Sequence, residues 1–328
     1  MTVLIVLVVT LALAFDFTNG FHDTANAIAT TVSTRALSPR KAVLMAGVLN
    51  FLGALTFTGV AKTIGGKIAD PSKIQHGTVI VLAALVAAIT WNLITWYFGI
   101  PSSSSHALIG SLAGAVVGAA GIHGVNYAGF TSIVQGLIMS PIAALIVGYL
   151  LMTVLKLLFA GTSPHKANRV FRFLQILTAA YQSFMHGTND AQKTMGIITF
   201  ALIAGNYQST MDIPFWVKLI CATAMGLGTA SGGWRIIKTV GSKIIKLEPI
   251  NGFASDLTSA TVILTATLMK LPVSSTHVIS SAIMGTGAAK RFHQVNWGVA
   301  GRIVAAWIIT IPVSGLLAAL VVNIFLRM

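Results

Sequence analysis

Residues 20–27 read Gly-Phe-His-Asp-Thr-Ala-Asn-Ala, and residues 187–194 read Gly-Thr-Asn-Asp-Ala-Gln-Lys-Thr. A second pair of polar stretches reads Pro-Ser-Ser-Ser-Ser-His at 101–106 and Pro-Val-Ser-Ser-Thr-His at 272–277. The aspartates at 23 and 190 lie 167 residues apart and the two prolines lie 171 residues apart, close to half of the 328-residue chain. These near-equal offsets predict two copies of one structural module, each with one acidic motif and one hydroxyl-rich motif.

The rest of the chain has the composition of a membrane protein. Hydrophobic residues make up 55% of it, charged residues make up 9%, and the mean hydropathy is +0.85, whereas a soluble domain is about 25% charged. Residues 74–155 contain no Asp, Glu, Lys or Arg. Because one soluble core cannot bury so much apolar surface, we predict a polytopic membrane protein.

The predicted fold is all-α, with two inverted-topology repeats of transmembrane helices and about 10–12 crossings of about 20 residues each. We expect a broken helix in each repeat, with short half-crossings at 24–34 and 191–205 after the acidic motifs. We also expect a re-entrant hairpin in each repeat, at 101–120 and 272–288, because these segments are rich in Gly and Ser and too short for two crossings. The other spans are predicted near 2–18, 42–61, 78–99, 128–158, 172–186, 214–233, 253–270 and 297–326.

Two clusters of basic residues orient the predicted repeats. A basic loop at 159–171 separates a first membrane repeat (1–158) from a second (172–328), and another basic cluster lies inside the second repeat. Short loops rich in Lys and Arg mark the cytoplasmic side, which places the N-terminus outside and gives each repeat an odd number of crossings. The apolar N-terminus lacks a basic n-region, so we expect a retained span. The clusters are Lys156, Lys166, Arg169 and Arg172, and Arg235, Lys238, Lys243 and Lys246.

The hydroxyl-rich motifs are suited to binding an oxyanion. Proline is pre-organised for the first turn of a helix and serine is a good N-cap, so a helix is predicted to begin in each motif. The free N–H groups of such a helix start, together with hydroxyl donors, bind anions such as phosphate without needing Lys or Arg. The hydroxyls expected to form one cradle are those of Ser103, Ser104, Ser105, Ser274, Ser275 and Thr276.

The acidic motifs place carboxylates at membrane depth, where an ionisable group is costly and is a functional candidate by default. Asp23 and Asp190 lie near Asn26 and Asn189, and their side chains supply oxygen ligands for Na⁺ or another cation. A carboxylate also accepts a hydrogen bond from a protonated phosphate. We therefore assign all four residues to the candidate substrate site, and Asp23, Asn26 and Asp190 also to a coupling-ion site.

The two acidic motifs differ at one informative position. When Asp23 is aligned with Asp190, Lys193 falls opposite Asn26. A fixed ammonium there can pair with Asp190, neutralise part of a bound anion, or take the position of a cation. Lys193 is therefore also a candidate substrate-site residue.

Three further residues are candidates for moving protons. Asp256 lies sixteen residues before the second hydroxyl-rich motif, and the corresponding first-half position is Leu85. This unmatched acid is either a coupling-ion carboxylate or a membrane-boundary acid. His106 and His277 follow the hydroxyls in both copies and are candidates for proton transfer or substrate contact.

Internal repeats with polar motifs inside apolar segments are typical of secondary transporters. The net charge of +14 is spread over loops between apolar runs, which argues against nucleic-acid binding. The chain has no G-x-x-x-x-G-K-[ST] motif for ATP-driven transport. A membrane metalloenzyme using the histidines and aspartates is a distant alternative, because no H-E-x-x-H or similarly compact ligand spacing occurs. We expect neither an enzyme nor a resident cofactor or metal.

The four motifs resemble those of the inorganic phosphate transporter (PiT) family, which carries a G-x-N-D-x-A-N-A-like signature and a P-[VI]-S-x-T-H-like hairpin motif in each half. The resemblance covers essentially the whole chain in the family's order. It implies phosphate held between the hairpin starts and the acidic motifs, and symport with Na⁺ or H⁺. In some bacterial members it implies uptake of neutral metal–phosphate complexes.

The short loop between the repeats resembles bacterial members of that family rather than animal ones. This implies a multi-pass protein of the bacterial inner membrane, with phosphate, a coupling cation and the lipid bilayer as partners. Whether the protein forms a homo-oligomer is left open by the sequence.

Three departures from the family pattern bear on the coupling ion. His22 stands where the signature usually has Asn, Gln192-Lys193 replaces the second Ala-Asn, and Asn50 stands where many relatives have a glutamate. The resemblance implies that Asp256 keeps the acid that the family has in the second half, although alignment on the hydroxyl-rich motifs pairs Asp256 with Leu85. Because these changes remove possible Na⁺ ligands, H⁺ coupling is favoured, with Na⁺ kept open.

Sulfate or another oxyanion is the alternative substrate on the same fold. Phosphate at neutral pH carries a proton that Asp23 or Asp190 can accept in a hydrogen bond, whereas sulfate carries none and is repelled by an unneutralised carboxylate. The two aspartates therefore favour phosphate. A passive channel is a further alternative, but two hairpins within inverted repeats favour alternating access.

Overall fold

The computed structural model describes residues 3–328, which form twelve α-helices and two short 3-10 helices, with no strand among them. The predicted all-α membrane protein is therefore confirmed. The α-helices are α1 (Val3–Ser33), α2 (Pro39–Ala54), α3 (Gly59–Lys67), α4 (Gly77–Phe98), α5 (Ser104–Ala120), α6 (Tyr127–Leu158), α7 (Pro164–Ala204), α8 (Phe215–Ser231), α9 (Trp234–Ser242), α10 (Pro249–Leu268), α11 (Ser275–Lys290) and α12 (Trp297–Phe325).

Four helices are each long and apolar enough to cross a membrane alone, namely α1, α4, α6 and α12. Helices α2 and α3 give a fifth candidate crossing, which is bent by 70° at the break between them. This bent pair lies outside 24–34, where the sequence predicts the break of the first half. The total of about 10–12 crossings stays a prediction, because it also counts shorter helices and the polar α7.

The helices continue unbroken through both acidic motifs, which corrects the predicted half-crossings at 24–34 and 191–205. Helix α1 runs through Asp23, and α7 runs through Asp190 over a total length of 41 residues. Both motifs interrupt the apolar pattern, which favours a break when only the sequence is considered. Their polar side chains are instead buried against other helices, where they find hydrogen-bond partners while the backbone stays helical.

The glycines of the acidic motifs permit close packing of helices rather than an unwound turn. A Cβ atom on Gly20 would lie 2.6 Å from the carbonyl oxygen of Met225. A Cβ atom on Gly187 would collide with the carbonyl group of Asn50. The backbone of α1 therefore lies in direct contact with that of α8, and the backbone of α7 with that of α2.

Two segments predicted as basic loops are partly helical. The connection between α6 and α7 spans 159–163 rather than 159–171, because α7 includes most of the first basic cluster. The second basic cluster overlaps α9, which buries Ile236, Ile237 and Val240. The nine residues of α9 are too few for a helical periodicity to stand out in the sequence.

The two halves contain corresponding elements in the same order. Helices α5 and α11 begin inside the hydroxyl-rich motifs, and one short 3-10 helix follows each. Helices α6 and α12 start from asparagine N-caps, Asn126 and Asn296, and contain internal prolines, Pro141 and Pro312. Helix α1 packs against α7 and also contacts α5 and α11, so the four motifs meet inside the protein.

Candidate functional site

The hydroxyl-rich motifs begin two helices, as the sequence predicts. The Ser103 hydroxyl accepts a hydrogen bond from the backbone N–H of His106 at 3.1 Å, and the Ser274 hydroxyl accepts one from the N–H of His277 at 3.2 Å. These two serines are therefore the N-caps of α5 and α11. Because the first N–H groups of a helix have no intrahelical acceptor, residues 104–105 and 275–276 present both amide and hydroxyl donors.

Each helix start contacts the aspartate of its own half. The Ser104 hydroxyl donates to Oδ2 of Asp23 at 2.7 Å, and the Ser275 hydroxyl donates to Oδ2 of Asp190 at 2.8 Å. Both serines are the third residue after the proline of their motif, so the two halves make the same contact. Hydrogen bonds to an ionised carboxylate are about twice as strong as neutral ones, and they fix each helix start against its aspartate.

Asn26 and Lys193 connect the two halves. The Asn26 amide donates to the hydroxyls of Thr276 at 2.9 Å and Ser275 at 3.1 Å. The Lys193 ammonium donates to the Ser105 hydroxyl at 2.5 Å. Ser105 and Thr276 are both the fourth residue after the proline of their motif, so these contacts also correspond. Each acidic motif thus holds the helix start of the opposite half.

The Lys193 ammonium also contacts the aspartate of its own motif. Its Nζ atom lies 2.5 Å from Oδ1 of Asp190, and both side chains are at most 1% exposed. A third contact runs to the carbonyl oxygen of Val273 at 2.8 Å. Of the three roles that the sequence left open, pairing with Asp190 is the one present in this structure.

The two aspartates and a histidine form a buried group of side chains that could ligate a cation. Asp23, His186 and Asp190 each offer one atom within 4.8 Å of the others. Nε2 of His186 lies 3.2 Å from Oδ2 of Asp190, and Nδ1 lies 2.5 Å from Oδ1 of Asn50. Carboxylate oxygens suit hard cations, and imidazole suits protons and transition metals. These three residues can therefore hold a cation next to the helix starts.

Asn189 and the two motif histidines support the helix starts rather than facing the aspartates. The side-chain oxygen of Asn189 accepts a hydrogen bond from the Val273 N–H at 3.2 Å, just before α11. The rings of His106 and His277 lie 4.3 Å apart, and the His277 ring stacks on Trp307 at 3.9 Å. The three rings pack against one another beside the first turns of α5 and α11, with His277 stacked on Trp307 and tilted against His106.

Asp256 lies apart from the cradle, in a second polar cluster. The Thr30 hydroxyl donates to Oδ1 of Asp256 at 2.7 Å, and Thr30 lies one turn beyond Asn26 on α1. Directly after the end of α1, the Thr34 hydroxyl donates to the Gln175 side chain at 2.7 Å. Residues spaced by four lie on one face of a helix, so a buried polar face of α1 runs from the cradle past Asp256.

Sequence reasoning missed Asp16. This aspartate is buried, and its Oδ1 accepts a hydrogen bond from the Thr194 hydroxyl at 2.9 Å. Its Oδ2 has no hydrogen-bond partner among the described residues. Asp16 lies seven residues, or about two helical turns, before Asp23 and therefore on the same face of α1. The seven-residue spacing was a usable signal, but the expected end of the span near residue 18 concealed it.

The whole cradle is closed to solvent. Asp23, Asn26 and Lys193 are 2%, 1% and 1% exposed, and the four hydroxyl-bearing residues at 104, 105, 275 and 276 are buried as well. Two carboxylates, one ammonium and a ring of hydroxyl and amide donors are suited to holding an oxyanion together with a cation. A solute can enter or leave this site only if helices move.

Comparison with protein families and curated relatives gives a consistent result. The family model described as "Phosphate transporter family" matches the chain twice, over residues 19–166 and 159–318. A "Probable low-affinity inorganic phosphate transporter" of Bacillus subtilis (strain 168) is 59% identical over 319 residues, which are 97% of this chain and 96% of that protein. A protein with the same description from Rhizobium meliloti (strain 1021) is 46% identical over 319 residues, with 97% and 95% covered.

A solved structure described as "The sodium-dependent phosphate transporter" superposes with a TM-score of 0.90, at 28% sequence identity and with both chains covered completely. The family and the relatives are transporters and not enzymes, and the resemblance noted from the motifs is confirmed. This chain is a multi-pass membrane protein and belongs to the phosphate transporter family.

Proposed function

We propose that this protein imports inorganic phosphate by symport with a cation, and that it does so by alternating access. The observation that carries the proposal is the convergence of two helix starts on two aspartates, Ser104 on Asp23 and Ser275 on Asp190. Each half of the chain supplies one helix start and one acid. A tetrahedral oxyanion bound between the halves would contact donors from both of them.

In this proposal the helix starts bind the phosphate, and the aspartates bind the proton or cation that neutralises its negative charge. The free backbone amides at 104–105 and 275–276 donate to the phosphate oxygens. The hydroxyls of these residues donate to Asp23, Asp190 and the Val273 carbonyl in this structure; because they are neutral and rotate about a single bond, they can turn to the phosphate when it binds. Asp23 accepts the proton of the phosphate or ligates the coupling cation, Asp190 is paired with the Lys193 ammonium and offers its other oxygen to the proton of the phosphate, and Asn26 holds the second helix start in place. Sulfate, which has no proton to donate at neutral pH, is expected to be excluded by the two carboxylates.

The burial of the cradle supports alternating access over a passive channel. A channel requires a continuous open path, whereas every cradle side chain is buried in this structure. The matched order of helices in the two halves, and the double match to the family model, support two repeats that rock about the site. We place the first repeat at 1–158 and let the second begin with α7, at 164–328, because the predicted boundary at 172 falls inside that helix. The two repeats are in inverted orientation, in the cell membrane of a bacterium.

We favour H⁺ over Na⁺ as the coupling ion. Each aspartate has an imidazole neighbour, with Nδ1 of His22 at 2.7 Å from Asp23 and Nε2 of His186 at 3.2 Å from Asp190. An imidazole nitrogen can donate or accept a proton, whereas Na⁺ prefers oxygen ligands. Na⁺ is the alternative, and the Asp23–His186–Asp190 cluster also supports transport of phosphate as a neutral complex with a divalent metal.

Exchange in proteoliposomes tests the substrate assignment. Vesicles that contain the purified protein are loaded with unlabelled phosphate, and the entry of external radiolabelled phosphate is measured without any cation gradient. We expect rapid entry into phosphate-loaded vesicles and slow entry into sulfate-loaded ones. Equal entry into both would contradict selectivity for phosphate, and no entry into either would contradict transport of phosphate.

A further inference from the structure

Lys193 and Asn26 occupy corresponding places in the two halves but differ in charge. Each lies three residues after the aspartate of its motif. Asn26 donates to Thr276 at 2.9 Å, and Lys193 donates to the corresponding hydroxyl of Ser105 at 2.5 Å. The site is therefore nearly twofold symmetric in its contacts, and it has an ammonium group on the second-half side where the first-half side has an amide.

The surroundings of the Lys193 ammonium are those of a bound cation. Nζ is contacted by a carboxylate oxygen of Asp190, a hydroxyl oxygen of Ser105 and a backbone carbonyl oxygen of Val273, at 2.5, 2.5 and 2.8 Å. Carboxylate, hydroxyl and unwound-backbone carbonyl oxygens are the ligands that hard cations take in proteins and in transporters. A side chain that is 1% exposed delivers one positive charge to this oxygen set.

The three contacts also argue against Lys193 as a phosphate ligand. An ammonium group has three N–H donors and no acceptor. All three donors are used by the protein. Lys193 could bind a phosphate oxygen only by giving up its contact to Asp190, Ser105 or Val273. Loss of the contact to Asp190 would separate a buried ion pair, which is strongly unfavourable.

Asn26, which corresponds to Lys193 in the first half, offers an amide oxygen in place of an ammonium. Both N–H donors of the Asn26 amide are used, by Ser275 and Thr276. Its Oδ1 is buried and has no hydrogen-bond donor within the part of the chain that the structure describes. A buried acceptor without a partner is unfavourable, and together with the adjacent Asp23 it points to a cation on this side.

We propose that the Lys193 ammonium permanently occupies the second-half cation position, so that the site takes up a single exchangeable cation, on the Asp23–Asn26 side. The ammonium neutralises Asp190 in every conformation and is never transported. Each phosphate then travels with one cation fewer than it would if residue 193 were asparagine. This inference rests on the proposed function, because it assigns the number of cations that accompany the phosphate.

The test is the charge moved per phosphate in proteoliposomes. A phosphate gradient is opposed by a membrane potential set with K⁺ and valinomycin, at equal pH and equal Na⁺ on both sides. The potential at which net flux stops gives the net charge carried with each phosphate. The variant is Lys193→Asn, which recreates the first-half motif in the second half. The matched control is Lys166→Asn, which removes an exposed lysine from the same helix.

The expected result is one additional positive charge per phosphate for Lys193→Asn and no change for Lys166→Asn. An unchanged ratio in Lys193→Asn would overturn the inference while leaving phosphate transport in place. A phosphate ligand at this position would instead raise the KM for phosphate without changing the charge ratio. Absence of transport by the unmodified protein would overturn the proposed function and would be recognised separately.

A binding measurement covers the case in which Lys193→Asn folds but does not transport. The melting temperature of each purified protein is followed against Na⁺ at fixed pH and against pH at fixed Na⁺, with choline keeping the ionic strength constant. A ligand that binds only the folded state raises the melting temperature. The unmodified protein should show the rise that its one exchangeable cation produces, and we expect Lys193→Asn to show a larger rise, with Na⁺ or on acidification, because a second cation binds. Identical titrations for the two proteins would overturn the inference.

Discussion

The side-chain amide of Asn26 donates to the hydroxyl of Thr276 at 2.9 Å and so joins the acidic motif of the first half to the helix start of the second half. The Lys193–Ser105 contact makes the reciprocal connection. Neither half can form the cradle alone, because each acidic motif depends on a hydroxyl from the other half. The duplication of the motifs thus has a structural reason.

Loss of either aspartate carboxylate is expected to abolish most phosphate uptake. Asp23→Asn and Asp190→Asn each remove a charged acceptor, and such hydrogen bonds contribute about 1.5–3 kcal/mol, which corresponds to a fall in uptake on the order of tenfold or more. Uptake of labelled phosphate by proteoliposomes measures the effect. Asp212→Asn is the control, because that side chain is 76% exposed. Normal uptake by either variant would remove that aspartate from the site.

The two aspartate variants are expected to differ in stability. Asp190→Asn leaves the Lys193 ammonium buried without its carboxylate, which costs about 3–5 kcal/mol, whereas Asp23 has no lysine partner among the described residues. Melting temperatures in detergent should therefore fall further for Asp190→Asn than for Asp23→Asn. Adding Lys193→Asn to Asp190→Asn should restore part of the loss. An equal fall for both single variants would show that the ion pair does not stabilise the fold.

The hydroxyls that face the aspartates are expected to set the affinity for phosphate. Ser104→Ala combined with Ser275→Ala removes one donor from each helix start, and the KM for phosphate should rise on the order of tenfold. Ser231→Ala, which changes an exposed serine on α8, is the control. If the KM of the double variant is unchanged, the helix starts do not form the anion cradle.

Asp256 is expected to act in coupling rather than in phosphate binding, because it contacts Thr30 and none of the cradle residues described above. Asp256→Asn should reduce uptake that is driven by a pH gradient and leave phosphate–phosphate exchange nearly unchanged. Asp70→Asn, in the exposed segment between α3 and α4, provides the control. Parallel losses of driven uptake and exchange would instead assign Asp256 to the substrate site.

Close packing at Gly187 is expected to make this position intolerant of a side chain. A Cβ atom there meets the backbone of Asn50 on α2, whereas a Cβ atom at Gly161 meets no atom within 4 Å. Overpacking of a tight core costs about 1–3 kcal/mol, so Gly187→Ala should lower the melting temperature and Gly161→Ala should not. Equal melting temperatures would mean that α2 and α7 can separate freely.

The duplication and the all-α membrane fold could be predicted from the sequence, because these depend on residue types and spacings. Asp23 and Asp190 do meet the two helix starts, and their role in binding phosphate stays a prediction. Helix continuity was predicted wrongly at both acidic motifs, since a polar residue that is satisfied by a distant helix looks the same in sequence as one in a loop. Asp16 was missed for that reason. The Lys193–Asp190 pair could be named as an option from the three-residue spacing, but only the fold shows that Ser105 and Val273 complete the ammonium's contacts.

The central claim is that a cation gradient drives phosphate through this site, and gradient-driven uptake tests it most directly. Proteoliposomes receive labelled phosphate under an inward H⁺ gradient without Na⁺, under an inward Na⁺ gradient at equal pH, or under neither. We predict concentrative uptake under the H⁺ gradient, and its loss in Asp23→Asn. Uptake under the Na⁺ gradient alone would contradict H⁺ coupling and assign Na⁺ to the Asp23–Asn26 side, and the same slow entry under all three conditions would contradict symport itself.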